Sequence, residues 1–355
     1  EESIELAVEE ALAASAESVA EVQVATAVEG RVEEGIDEIM EMIEVDEDRI
    51  QKDQWLVMAS PETFDQLAEE GYLFQTVSEL PGMGLRLAEV AAPSSFNIAT
   101  VRQGVIDIVG SDRAEVDLNH IYTAGIQAGE STGEGILPRT AVDFPADTEA
   151  MPLRIGMIDS RVDTTHPALR NANIVAHSFA TEGAVSPTFH GTAIASILVG
   201  NGGGYVGIAP SSEVFAASVF EQDPERGEIA STVSLVKALD WLISSGVDVI
   251  NISLAGPPNR LLEAALQRAS ESDVIILAAA GNGGPVAQPM YPAAYDTVVA
   301  VTAVDADGKI FRLANRGDYL DIAAPGVEVR HADSAGGFTS SSGTSFAVPF
   351  AATAV

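Results

Sequence analysis

Five nearly continuous apolar runs, at 153–158, 214–219, 247–254, 274–280 and 297–303, constrain what this chain can fold into more than any other feature. A strand with one wet face alternates apolar and polar residues. A run without alternation is covered on both faces, the condition of a parallel sheet. Helical periodicity fills the gaps, at 190–199, 231–245 and 259–272. In the middle segment Val233, Val236, Leu239, Leu242 and Ile243 form one stripe, and Gly246 ends it. Strand and helix in alternation predict a doubly wound, mostly parallel α/β domain over 151–355. Such sheets collect their reacting groups beyond the carboxyl ends of the strands. Asp159, Ser253 and Asn282 stand at or just past such ends.

The first half has a different grammar. Residues 1–50 carry 17 acidic and two basic side chains, with Ile36, Ile39, Met40 and Ile43 at helical spacing, and read as an acidic helical segment. Residues 51–121 read as a small β-α-β-β-α-β unit of the ferredoxin-like kind. Its strands are expected at 55–59, 73–79, 85–90 and 114–118, and its helices from Pro61, behind an N-cap at Ser60, and over 97–108. Residues 122–150 mix Gly, Thr, Pro, Asp and Glu without periodicity. They read as a linker whose exposed backbone suits proteolytic processing.

Composition narrows the chemistry. The formal charge of −35 argues against nucleic acid as a partner. No apolar run is long enough to cross a membrane. The absence of cysteine excludes disulfides, thiol catalysis and thiolate metal sites. No signal peptide is recognisable ahead of Glu1, and the chain stops at Val355 inside an expected helix, so the sequence reads as an excerpt.

The most specific motif is Ser342-Gly343-Thr344-Ser345-Phe346-Ala347-Val348-Pro349, which sets a serine at the start of an apolar helix. Helix N-termini carry partial positive charge and unpaired N–H groups, so they suit a developing oxyanion. Three other positions supply the remaining parts of nucleophilic acyl transfer. His190, opening a helix in His190-Gly191-Thr192, is a candidate general base, and Gly191 lets another backbone come close. Asp159, at a buried strand end, can hold an imidazole by Nδ1–H. Asn282, in Gly281-Asn282-Gly283-Gly284, can donate to an oxyanion. Gly202-Gly203-Gly204-Tyr205-Val206-Gly207 matches a dinucleotide fingerprint, but it follows a helix and precedes a strand, the reverse of what that motif needs.

The order Asp, His, Asn, Ser resembles the subtilisin-like serine peptidases, the subtilases. The matching blocks are Ile158-Asp159-Ser160 with His166-Pro167, His190-Gly191-Thr192, Gly207-Ile208-Ala209-Pro210, Asn251-Ile252-Ser253-Leu254, Ala279-Ala280-Gly281-Asn282, Ala323-Ala324-Pro325-Gly326 and Ser342-Gly343-Thr344-Ser345. The resemblance implies a serine endopeptidase working through an acyl-enzyme, with Ser345 as nucleophile, His190 as base and then acid, and Asp159 as orienting carboxylate. It implies an oxyanion hole from Asn282 and the Ser345 N–H. Substrate would lie along Ser253, Leu254 and Ala255 on one side and Ala279, Ala280 and Gly281 on the other. The resemblance further implies polypeptide substrates, an extracytoplasmic site of action, and no cofactor for the chemistry. Residues 51–121 are similar to the prodomain that assists folding of the family and inhibits it before self-cleavage, here expected between 120 and 150. A catalytically silent scaffold on the same fold is the alternative.

Three positions depart from the family pattern. Arg161 stands where glycine is usual and would be strained if that backbone needs positive φ. Ala255 also replaces a common glycine, and Ala193 a frequent second histidine. The loop from Gly200 to Tyr205 is short and lacks carboxylates, so a structural calcium ion is unsupported there.

Overall fold

The computed structural model describes residues 50–90, 98–124, 135–142 and 152–354. The acidic segment expected over 1–50 lies outside the described residues except for Ile50, as does most of the linker.

The N-terminal unit is a four-stranded antiparallel sheet with two helices on one face. Its elements are β1 (Ile50–Ala59), α1 (Pro61–Glu69), β2 (Phe74–Leu80), β3 (Leu85–Val90), α2 (Ile98–Val109) and β4 (Ala114–Ala124). β1 is central, pairing Val57 with Ala88 of β3 and with Val116 of β4. Ser60 caps α1, its Oγ accepting from Thr63 N at 3.3 Å, with Pro61 in the first turn. Because side chains alternate along a strand, β1 serves two cores. Trp55, Val57 and Ala59 pack with Phe64, Leu67, Val101 and Val105 beneath the helices. Leu56 and Met58 join Leu80, Leu85 and Leu87 in a cluster shared with the second half of the chain.

That second half is built on a seven-stranded sheet whose strands all run parallel. In chain order its elements are β5 (Arg154–Asp159), β6 (Asn173–Ser178), α3 (Phe189–Val199), β7 (Glu213–Ser218), β8 (Glu221–Asp223), β9 (Gly227–Ser231), α4 (Thr232–Ser244), β10 (Val249–Ile252), β11 (Leu254–Ala255), α5 (Arg260–Glu271), β12 (Ile275–Ala279), β13 (Val299–Val304), β14 (Ile322–Pro325), β15 (Val329–Ala332), β16 (Phe338–Ser341) and α6 (Thr344–Ala352). Across the sheet the order is β14-β13-β12-β10-β5-β7-β6. One face is covered by α4 and α5 through Leu235, Leu239, Leu242, Leu262 and Leu266. The other is covered by α3 and α6 through Ile194, Ile197, Leu198, Phe346 and Val348. This two-sided cover is why the strand sequences do not alternate.

The two halves are joined by β4. Its last residues form the middle of a three-stranded antiparallel ladder, pairing Ile121, Tyr122 and Thr123 with Ser231, Ala230 and Ile229 of β9. On the other side Thr123 and Ala124 pair with Ala255 and Leu254 of β11. The expected strand end at Leu118 is therefore a correction: β4 runs to Ala124, three residues into the segment 122–150. Its continuation is Asn119-His120-Ile121-Tyr122, without a clean period, and it is extended because partners lie on both sides. His120 N donates to Thr232 Oγ1 at 3.0 Å, and Asn259 Nδ2 donates to Leu118 O at 2.9 Å. Farther along, Ile136 is bridged to Val329, so residues 135–142 lie against the second half.

Candidate active site

Asp159 is the last residue of β5 and is wholly buried. Its Oδ1 accepts from Ser160 N at 2.6 Å, which fixes the carboxylate against its own turn. His190 enters the site in the first turn of α3. Its Nδ1 lies 2.8 Å from Asp159 Oδ1 and 2.9 Å from Oδ2. An ionised carboxylate only accepts, so Nδ1 carries the proton and donates, and Nε2 keeps its lone pair. Gly191 makes this approach feasible. Its N donates to Ser160 Oγ at 2.8 Å, and a Cβ there would strike the Ser160 carbonyl. The expectation that Gly191 admits a second backbone holds. Arg161 is not strained, since among the described residues only Asp273 and Glu328 are non-glycine residues at positive φ.

Ser345 lies in the first turn of α6, with 1% of its surface exposed. The N-cap is Gly343, which offers no side chain to the N–H groups of that turn. Asn282 is tied to the same turn. Its Oδ1 accepts from Thr344 N at 3.0 Å and from Thr344 Oγ1 at 3.1 Å, while Gly281 N donates to Thr344 Oγ1. With the carboxamide oxygen so engaged, Nδ2 is on the side of Gly343, where a Cβ would lie 3.2 Å from it. Phe346 brings α6 to α3, its ring centroid 5.6 Å from that of His190. Ser345 Oγ and His190 Nε2 are both buried, and neither has a hydrogen-bond partner among the described residues. A hydroxyl oxygen and an imidazole nitrogen are the atom types an acyl-transfer relay uses.

The expected substrate-binding residues divide. Leu254 and Ala255 are β11, the edge that pairs with β4. Ser253, just before them, is buried, and its Oγ accepts from Asn251 Nδ2 at 2.9 Å. Ala279 ends β12, and Ala280 and Gly281 follow it. Ala280 O accepts from Tyr319 Oη at 3.1 Å, and Gly281, at φ 101°, would press a Cβ on Asn315 Nδ2.

Sequence reading assigned no role to Thr344, Asn315 or Tyr319, which hold the Asn282 loop; Asn315 Oδ1 accepts from Gly283 N at 2.8 Å. It also missed His331. That imidazole stacks on Phe346 at 5.2 Å, donates Nδ1–H to Ala332 O and accepts Ser341 O–H at Nε2, both at 2.8 Å. Burial holds its pKa down at about 4. The Gly-Thr pair before Ser345 was the available signal for Thr344; nothing local marks the others. Among the described residues no group of three or more His, Asp or Glu is arranged to hold a metal ion, and no helix is long and apolar enough to cross a membrane.

A parallel sheet with these groups beyond its strand ends defines a serine protease of the subtilisin-like class, and residues 153–355 match the model of the subtilase family. The chain belongs to that family, whose chemistry needs no cofactor. Among known proteins it is similar to subtilisin DY of Bacillus licheniformis, 32% identical over 210 residues that span 56% of this chain and 74% of that protein. The protease domain of PatA is 30% identical at a TM-score of 0.52, over 57% of this chain and 76% of that one. Fervidolysin of Fervidobacterium pennivorans shares the fold over 86% of this chain and 54% of its own, at a TM-score of 0.67 and 18% identity.

Proposed function

We propose that this protein is a serine endopeptidase whose relay is Asp159, His190 and Ser345, made as a zymogen that cuts itself. The observation that carries the reading is the Asp159–His190 contact at 2.8 Å, with His190 Nε2 and Ser345 Oγ left without partners. Neutral Nε2 takes the Ser345 hydroxyl proton as Oγ attacks the peptide carbonyl carbon. Negative charge develops on the carbonyl oxygen and is met by Asn282 Nδ2 and the Ser345 N–H at the positive end of α6. The imidazolium, held by Asp159, returns its proton to the departing amine. Water then repeats the sequence against the acyl-enzyme, releasing the acid and restoring Ser345.

An extended peptide binds by joining β9 and β11 as a middle strand, with main-chain hydrogen bonds for affinity and side-chain contacts for selectivity. The chain's own β4 supports this, since Tyr122, Thr123 and Ala124 lie in that ladder. Tyr122 fills the space over Gly256, where a Cβ would strike its ring. On this reading residues 50–124 are the prodomain, and self-cleavage falls after Ala124 and before Gly135, where the chain is bridged to the catalytic half. We place its work outside the cytoplasm, as the family resemblance implies.

The test is peptide hydrolysis by Ser345→Ala. The account expects a loss of about 10⁶-fold in turnover, a magnitude carried over from subtilisin itself, and a fluorophosphonate adduct on Ser345 in the parent protein alone. Hydrolysis within tenfold of the parent moves the nucleophile elsewhere.

A further inference from the structure

β9 brings to the relay a carboxyl group that the chemistry above does not use. Glu228 is half-buried. Its neighbourhood includes both Asp159 and His190: burial and the Asp159 charge raise its pKa, and His190 pulls it back. No ion pair to Glu228 is present among the described residues. On the neighbouring strand β8 the ionisable groups are Glu221 and Asp223, so this margin of the cleft is acidic.

Register fixes what Glu228 faces. Directly opposed residues of antiparallel strands share one face of the sheet. Ala230 opposes Tyr122, and both are buried in one apolar cluster, which identifies the inward face. Two residues along each strand from that pair stand Glu228 and Ala124, which share that face. In the zymogen the position opposite Glu228 therefore carries only a methyl group, and among the described residues no side chain forms an ion pair with the carboxylate.

We propose that Glu228 is a specificity-determining residue that selects a lysine or arginine side chain in substrates at the position Ala124 occupies in the ladder. The proposal rests on the reading that β4 lies where substrate lies. A long cationic side chain at that position covers the inward face with its apolar stem and sets its charge beside the carboxylate. A half-buried pair is less screened by solvent than a surface one, so the gain in substrate affinity exceeds that of an exposed ion pair and falls with added salt.

The test uses mature enzyme and hexapeptides Ile-Tyr-Thr-Xaa-Gly-Ile, with Xaa as arginine, norleucine or glutamate. The products are assigned by mass spectrometry. The arginine peptide is expected to exceed the norleucine peptide in kcat/KM by about tenfold at low salt, with the glutamate peptide slowest. Glu228→Gln should bring the arginine-to-norleucine ratio to within about twofold, and Glu228→Lys should reverse the order of arginine and glutamate. Cleavage by the parent without charge preference, or a preference that survives Glu228→Gln, overturns this assignment alone. Failure of the parent to cut any of the three overturns the ladder reading together with it.

Discussion

The parallel and antiparallel sheets of this protein are both covered on two faces, but by different means. The parallel sheet is sandwiched by its own helices, α4 and α5 below and α3 and α6 above, so its strand ends are free to present Asp159, Ser253 and Asn282. The antiparallel sheet covers one face with α1 and α2 and the other with the catalytic half itself. Its independence is correspondingly limited: separation exposes Leu56, Met58, Leu80, Leu85 and Leu87, apolar side chains whose burial is worth about 1.5–3 kcal/mol each. One half supplies its own cover on both faces, and the other takes part of its cover from it. A unit of this kind suits a segment that stays until cleavage cuts its covalent tie.

The largest effect expected inside the self-covered half, short of losing the proposed relay, comes from its proposed oxyanion donor. Asn282→Ala should lower turnover by about 10²–10³-fold with little change in KM, a magnitude known from subtilisin rather than obtained from this structure. The Thr344 contacts with Asn282 Oδ1 are lost in the same variant, so its melting temperature should be followed beside the kinetics. A loss below fivefold would mean that the carboxamide does not face the reacting oxygen.

The dependent half is probed through Tyr122, which is fully buried with Oη lacking a partner among the described residues. Its anchoring is therefore apolar packing. In a Ser345→Ala background, which keeps the chain whole, Tyr122→Ala should cost about 3–5 kcal/mol in urea denaturation. Residues 50–124 should become the first region cut by added trypsin. An unchanged urea midpoint would show that β4 contributes nothing to the union of the halves.

A smaller effect separates the two halves by pH. His331 belongs to the catalytic half, and burial holds its folded-state pKa at about 4, below an unfolded value near 6.5. Between these values the unfolded chain binds a proton that the native site refuses. Stability is thus fully present above pH 6.5 and is lost as pH falls toward 4, on the order of 3 kcal/mol in all. His331→Gln in the Ser345→Ala background should flatten that part of the stability–pH curve. A slope equal to the parent's would assign the dependence to other groups.

Much of this was legible in the sequence, for reasons that differ by element. The central strands announce themselves because two-sided burial removes alternation. Asp159, His190, Asn282 and Ser345 sit in short motifs whose glycines are required by contact, as at Gly191 against Ser160. The edge strand β6 was not legible. Its Asn-Ile-Val-Ala-His-Ser is mostly exposed, and only backbone pairing with β7 makes it a strand. The extension of β4 to Ala124 was missed because its partners, β9 and β11, lie far along the chain. Glu228 had no motif at all, and its meaning comes from a register that only the folded chain supplies.

The most direct test of the central claim is the N-terminus of the full chain after incubation, read by mass spectrometry in the parent and in Ser345→Ala. The account predicts one new end after Ala124 and before Gly135 in the parent, and an uncut Ser345→Ala chain. Cleavage of purified Ser345→Ala at the same bond, or a parent that hydrolyses peptides while staying whole, would contradict it.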